Sequence, residues 1–254
     1  MESKASTVLK AGLFHAEIVA WLIALGSTIA GALPWAAAGA VVALSAHMAS
    51  RFWSRRSPVP MPYFMRWVLL LPRGPHSPAS LERLLQPCTG ERILEIGPGV
   101  GVHALRIAAS LRPAGVLDVL DVQQEMIEDL MRRATRRGLT NIVPRQGDAQ
   151  RLPYPDSTFD AAYLISVLGE IPDVPVALRE LRRVLKPGAR LLIGEVLIDP
   201  DFISLPLLQE TARAAGFVFE RQVGPRFAYA ALFRPAAVAA IHAFEAGGAT
   251  SIKE

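Results

Sequence analysis

Cysteine is almost absent. Cys88 stands alone in 254 residues, so no internal disulfide can form, which suits a reducing compartment. Histidine is also sparse: His15, His47, His76, His103 and His242 are scattered, none at metal-ligand spacing from another histidine or from the cysteine. No metal site is expected. Acid is missing from Ile18 to Leu81, and from Ile18 to Ser50 lysine and arginine are missing too. What is abundant is apolar side chain, 51% of the chain with a mean hydropathy of +0.29, high for a soluble enzyme. The excess sits near the N-terminus, ahead of a stretch long enough for one ordinary domain. A net charge of +4 and a pI near 9.6 suggest an anionic partner, either nucleic acid or a membrane surface.

The charge-free run reads IVAWLIALGSTIAGALPWAAAGAVVALSAHMAS. A spanning helix needs about 20 such residues, so one span fits easily and two fit only tightly. Gly31 and Pro34 divide the run near its middle, where proline removes a backbone donor. Residues 17–50 are therefore expected to form a membrane helix or, preferably, a hairpin of two short helices, with Trp21 and Trp35 available to interfaces. Lys4, Lys10 and Ala36-Ala37-Ala38 resemble a secretory leader, but Glu17 abuts the run and hydrophobicity continues past the alanines, so cleavage is not expected. Residues 1–16 form a short N-terminal segment.

Residues 51–78 read as a basic, aromatic juxtamembrane connector. Arg51, Arg55, Arg56, Arg66 and Arg73 alternate with Phe52, Trp53, Tyr63, Phe64 and Trp67, and six prolines from Pro58 to Pro78 stiffen it. Each juxtamembrane charge gains about 1 kcal/mol against an anionic leaflet, and the basic bias places this side in the cytoplasm. Basic plus aromatic also describes single-stranded nucleic-acid binding. The apolar run immediately before it favours the membrane.

From residue 79 to 235 strands and helices alternate. Ser77-Pro78 opens a helix, Arg92 to Ile96 reads as a buried strand, and Gly115 to Leu120, Asn141 to Arg145, Phe159 to Ser166 and Arg190 to Leu197 as four more, with helical spacing between them. Lys186-Pro187-Gly188 is expected to end the helix that Asp173 caps. Two closing strands are close enough to pair antiparallel. The class is an open α/β sheet, its ligand at the carboxyl ends of the strands. The tail, 236–254, carries an Ala-rich piece and is assigned no function.

The first strand runs into Gly97-Pro98-Gly99-Val100-Gly101. A dinucleotide fingerprint would place its third glycine at position 102, which is Val. Glu95 beside the turn repels a pyrophosphate and welcomes an ammonium. Asp121, ending the second strand, suits a ribose diol, and Asp148, ending the third, could accept from an adenine amine. A cationic, phosphate-free ligand with adenosine at one end and an amino acid at the other satisfies all three.

The series ILEIGPGVG, LDVLDVQQEM, GDAQRLPYPDSTFDAAY and LRELRRVLKPGARLLIGEV resembles the class I S-adenosylmethionine-dependent methyltransferases. It is most similar to the branch holding ubiquinone/menaquinone C-methyltransferases and small-molecule or lipid methyltransferases. The resemblance implies a doubly wound, seven-stranded Rossmann-like sheet of order 3-2-1-4-5-7-6 with strand 7 antiparallel. It implies S-adenosyl-L-methionine as cofactor, Glu95 holding its amino group, and Gly97, Pro98, Gly99 and Gly101 under it. It further implies Asp121 and Val122 at the ribose, Met126 by the adenine, and Asp148 with Ala149 at the adenine edge. The resemblance does not reach the first 75 residues.

A sulfonium is already activated, so methyl transfer needs alignment in a dry site, and a base only where the acceptor keeps its proton. The acceptor face is expected around Tyr163 to Glu170, near Glu195 and under the connector. Glu170, Tyr163 and His76 are the candidates for orienting the acceptor or taking its proton. The expected activity is methyl transfer to a lipid or lipophilic small molecule by a membrane-held enzyme with its catalytic domain in the cytoplasm. A tethered enzyme for a soluble small molecule or nucleic acid, and a non-catalytic cofactor scaffold, are the alternatives. Absence of Asn-Pro-Pro-Tyr argues against nucleic acid. Nothing in the sequence sets the oligomeric state.

Overall fold

The computed structural model describes residues 2–29, 32–56, 58–70 and 76–236. The tail beyond Ala236 and the connector residues 71–75 lie outside the described residues, so the expectations placed on them are not addressed. The first two elements are helices α1 (Glu2–Ile29) and α2 (Leu33–Arg56). They run antiparallel, because Glu17 meets His47 while Ala20 and Ala24 meet Gly39. Pro34 sits in the first turn of α2, where its missing N–H costs nothing. Both helices overrun the charge-free run: α1 starts well before residue 17, and α2 continues to Arg55 and Arg56. Cations in a last turn suit the helix dipole.

A 3-10 helix, Tyr63–Leu70, follows within the connector, and then α3 (Pro78–Leu85), with Ser77 accepting from Ser80 N at its start. The α/β unit consists of β1 (Arg92–Ile96), α4 (Ala104–Ser110), β2 (Val116–Asp121), α5 (Gln124–Arg136), β3 (Ile142–Gln146), β4 (Phe159–Ile165), α6 (Val174–Val184), β5 (Leu185–Val196), α7 (Leu205–Ala214), β6 (Phe217–Val223) and β7 (Ala228–Pro235). The sheet order is β3-β2-β1-β4-β5-β7-β6, with β7 antiparallel to both neighbours and the first five strands parallel. The fold expected from the sequence is present. One boundary differs: α6 stops at Val184, and Lys186-Pro187-Gly188 lies inside β5, because Phe159 pairs with Leu185 before the register shifts to Ala161 with Arg190.

Alternate residues of the central strands feed two apolar layers. Leu94, Ile96, Ala162 and Leu164 pack toward α6 and α7, whereas Ile93, Ala161 and Tyr163 pack toward α3, α4 and α5. At the amino ends of the strands charges are tied down. Arg92 holds Asp118 through two bonds of 2.8 and 2.9 Å, Lys186 holds Asp160 at 2.7 Å, and Arg190 holds Glu91 at 2.6 Å. The carboxyl ends are left for a ligand.

Close approach sets the helical hairpin. A Cβ added to Gly39 would lie 2.9 Å from Ala24 N and 3.1 Å from Ala20 O, both backbone atoms. Gly39→Val should destabilise the hairpin by about 1–3 kcal/mol. Gly12→Val, where a Cβ meets nothing within 4 Å, should not. Hydrogen exchange across α2 in the two variants checks this.

Candidate functional site

β1 delivers the backbone into a left-handed turn. Gly97, Gly99 and Gly101 take φ of +63°, +52° and +83°, values that side-chain-bearing residues rarely adopt. Neighbours crowd the turn as well: a Cβ at Gly97 would lie 2.5 Å from Val167, one at Gly99 2.6 Å from Leu69, and one at Gly101 2.8 Å from Leu130. Gly97 N–H donates to Leu120 O at 2.8 Å and Gly101 N–H to Pro98 O at 2.9 Å, which ties the turn to β2 and to itself.

A cavity of about 800 Å³ opens over this turn at the carboxyl ends of the parallel strands. Gly97, Pro98, Gly99, Asp121, Val122, Met126, Asp148 and Ala149 all line it. Gly101 and Glu95 do not. Gly101 shapes the turn from below. Glu95 is buried beneath the wall, and its Oε2 accepts from the Tyr163 hydroxyl at 2.7 Å. Burial pushes the Glu95 carboxyl up to about 8, against the Tyr163 bond, which lowers it; the nearby Asp121 charge raises it further. Burial also raises Asp121, opposed by the N–H groups of Gln123, Gly99 and Val122. Asp121 Oδ1 accepts from Gln123 N at 2.9 Å. Asp148 is exposed and caps its own loop, accepting from Gln150 N at 2.8 Å.

On the acceptor side the three sequence candidates separate. Glu170 lines the cavity, and its Oε1 accepts from Met61 N at 3.1 Å, so it pins the connector. His76 also lines it, with Nε2 2.8 Å from Tyr229 O and its own carbonyl 2.8 Å from His103 Nε2. Tyr163 is fully buried behind Glu95 and does not reach the acceptor face, because its position on β4 points into the α3–α4–α5 layer. Glu195 is not among the lining residues either, and its Oε2 accepts from Ile203 N at 3.2 Å. Burial, reinforced by Asp199, Asp201 and Glu170, holds its carboxyl well above the usual range.

The connector closes the site. Gln123 Nε2 donates to Met61 O at 2.8 Å, Arg66 pairs with Asp129 at 3.4 Å, and Leu69 covers Gly99. The hairpin closes it further, contributing Glu17, Ile18, Trp21 and Ser50 to the cavity wall. Sequence reading had missed these four. Their signal was available: Glu17 and His47 are equally distant from Ala32, so a turn there brings them face to face.

The arrangement fits a cationic, phosphate-free ligand. Bare backbone lies under it, with buried Asp121 in the wall and buried Glu95 just behind it. Among the described residues lining the cavity none is lysine or arginine, although the chain as a whole carries excess base.

Comparison with known proteins agrees with this geometry. Residues 94–193 match the family model described as a methyltransferase domain. Over 108 residues, 42% of this chain and 43% of the relative, the sequence is 38% identical to the ubiquinone/menaquinone biosynthesis C-methyltransferase UbiE of Cellvibrio japonicus. Over 128 residues, 50% of this chain and 46% of the relative, it is 32% identical to the 27-O-demethylrifamycin SV methyltransferase of Amycolatopsis mediterranei. The matched stretch thus spans less than half the length of either relative. A crystal structure of a SAM-dependent methyltransferase from Aquifex aeolicus shares the fold, with a TM-score of 0.63 and 20% identity over 68% of this chain and 98% of that one. Residues 94–193 thus match a methyltransferase domain on the fold of S-adenosylmethionine-dependent methyltransferases, and the comparisons imply S-adenosylmethionine as its cofactor.

A Glu95 carboxylate holding the cofactor's amino group would make binding pH-dependent. A cationic amino group favours the ionised carboxylate, so affinity for S-adenosylmethionine should climb as pH rises toward 8. Tyr163→Phe removes a bond that favours the charged form and should move that rise to higher pH. The ligand-free fold should behave oppositely. Between pH 4.5 and 8 the folded carboxyl keeps a proton that the unfolded one has lost, so stability falls as pH rises. Calorimetric titration and urea unfolding across this range check both slopes.

Proposed function

We propose that the chain, with its S-adenosylmethionine-dependent methyltransferase domain, methylates a lipophilic small molecule or lipid at an anionic membrane surface. The observation that carries this reading is the cavity itself, because the N-terminal hairpin and the cofactor turn form walls of the same space. The outer faces of that hairpin are apolar and bare: Leu22, Leu25, Ile29, Leu33 and Trp35 are 62%, 60%, 80%, 69% and 70% exposed. Helix α2 is long and apolar enough to cross a bilayer by length and composition, and the apolar part of α1, Ala16–Ile29, is shorter. At 1.5 Å per residue that part reaches about 21 Å, less than the roughly 30 Å hydrocarbon core. A hairpin entering from one side suits that length better than two full spans. Arg55, Arg56 and Arg66, with Trp53, Phe64 and Trp67, then sit at the headgroup level, with the α/β domain in the cytoplasm.

Within the site, Glu95 would hold the cofactor's ammonium group through the turn and Asp121 with Val122 its ribose. Gly97, Pro98 and Gly99 would leave backbone for it to lie on, with Gly101 shaping the turn. Met126, Asp148 and Ala149 would frame the adenine. The cofactor supplies an activated methyl group. The protein's task is to place the acceptor in line and keep water out. Glu170 would do so indirectly, by latching the connector over the cavity, and His76 from the floor. The two relatives, one named for ubiquinone/menaquinone biosynthesis and one for demethylrifamycin SV, support a small-molecule acceptor.

Two outcomes are expected of the full-length protein. It should float with anionic liposomes and stay with them at about 1 M salt, where charge alone is screened. Release by salt would reduce the hairpin to a basic tether. Incubated with labelled S-adenosylmethionine and a total lipid extract, it should label an organic-soluble product, and Asp121→Ala should lower cofactor affinity at least about tenfold. Label confined to water-soluble acceptors or nucleic acid would overturn the lipophilic reading.

A further inference from the structure

An apolar hairpin gains nothing from a carboxylate on its inner face, since a buried charge is costly unless paired. Glu17 nevertheless sits there, 5% exposed. Its Oε1 lies 3.0 Å from His47 Nδ1 across the hairpin, and its Oε2 is buried with no hydrogen-bond partner among the described residues. Ser50, one turn on from His47, also has a buried hydroxyl without a partner. Glu17 and Ser50 line the cavity that reaches the cofactor turn. The close approach at Gly39 fixes this pairing, because any side chain there would separate the helices.

We propose that Glu17, which faces His47 across the hairpin, is the subsite that recognises the polar head of the methyl acceptor, and that this head is an uncharged or cationic hydrogen-bond donor, a hydroxyl or an amine. The proposal rests on the methyltransferase reading and narrows its acceptor. Glu17 Oε2 has only lone pairs to offer as an ionised carboxylate, so it takes a donor. The other charged groups around the cavity point the same way. Glu170 and Asp199 stand on the acceptor wall, and the nearby Arg51 guanidinium is turned to the carbonyls of Leu197 and Asp199, at 3.5 and 3.3 Å. A carboxylate or phosphate head at Glu17 would meet like charge, and no lysine or arginine is among the described lining residues. Ile18, Trp21 and Ile198 supply apolar wall for the remainder of the molecule.

Short probes that remain monomeric test this on the full-length protein: 4-hexylphenol and hexylamine against hexanoate and hexyl phosphate, titrated calorimetrically with S-adenosylhomocysteine present. The phenol and the amine should bind at least about tenfold more tightly than either anion, a comparison that needs no variant. Glu17→Gln should erase about tenfold of that preference. It should leave affinity for S-adenosylhomocysteine within about twofold of the wild type, and an unchanged unfolding midpoint would show an intact fold. Equal or tighter binding of an anion overturns the proposal. So does a Glu17→Gln protein that binds S-adenosylhomocysteine normally and keeps the full preference. Failure of the wild type to bind S-adenosylhomocysteine would instead count against the methyltransferase reading, which separates the two.

Discussion

Bare backbone at the end of β1 is the constraint on which the rest depends. Val167, Leu69 and Leu130 close on Gly97, Gly99 and Gly101 from three directions, so a single methyl group at any of them would collide with packed side chains. Those neighbours come from the β4 loop, the connector and α5. The turn is therefore more than a ligand cradle. It is the point where the sheet, the following helices and the N-terminal segment are brought into register.

Charge is distributed around that point by function. Bases hold acids at the amino ends of the strands, where Arg92, Lys186 and Arg190 each have a carboxylate. At the carboxyl ends Glu95 accepts from the Tyr163 hydroxyl, and Asp121, Glu170 and Glu195 accept from backbone N–H groups. Burial raises Glu95, Asp121 and Glu195. Burial thus keeps the Glu95 carboxyl protonated until pH rises toward 8, and a cationic ligand beside it would favour the charged form.

The N-terminal hairpin has two faces with different tasks. Its outer face carries Leu22, Leu25 and Trp35 into the surroundings, and its inner face presents Glu17 and Ser50 to the cavity. The connector joins the two by latching onto Glu170 and Gln123 through Met61. On the proposed function, an acceptor would pass the apolar side chains of Ile18, Trp21 and Ile198 on its way to the polar groups of the cavity.

Local patterns in the chain were enough for the α/β order, the glycine turn and the acids at the strand ends, because strand and helix periods and glycine spacing are properties of neighbours in sequence. The charge-free run and its Pro34 break were legible for the same reason. What distance in sequence hides, only the tertiary structure decided. Tyr163 looked like an acceptor-face residue until β4 turned it inward to Glu95, 68 positions away. Glu17 looked like the edge of a membrane segment until the antiparallel packing at Gly39 set it against His47 and over the cavity. Such partners are chosen by the crossing of whole elements, and no short-range pattern encodes which side chain a folded-back helix will find opposite it.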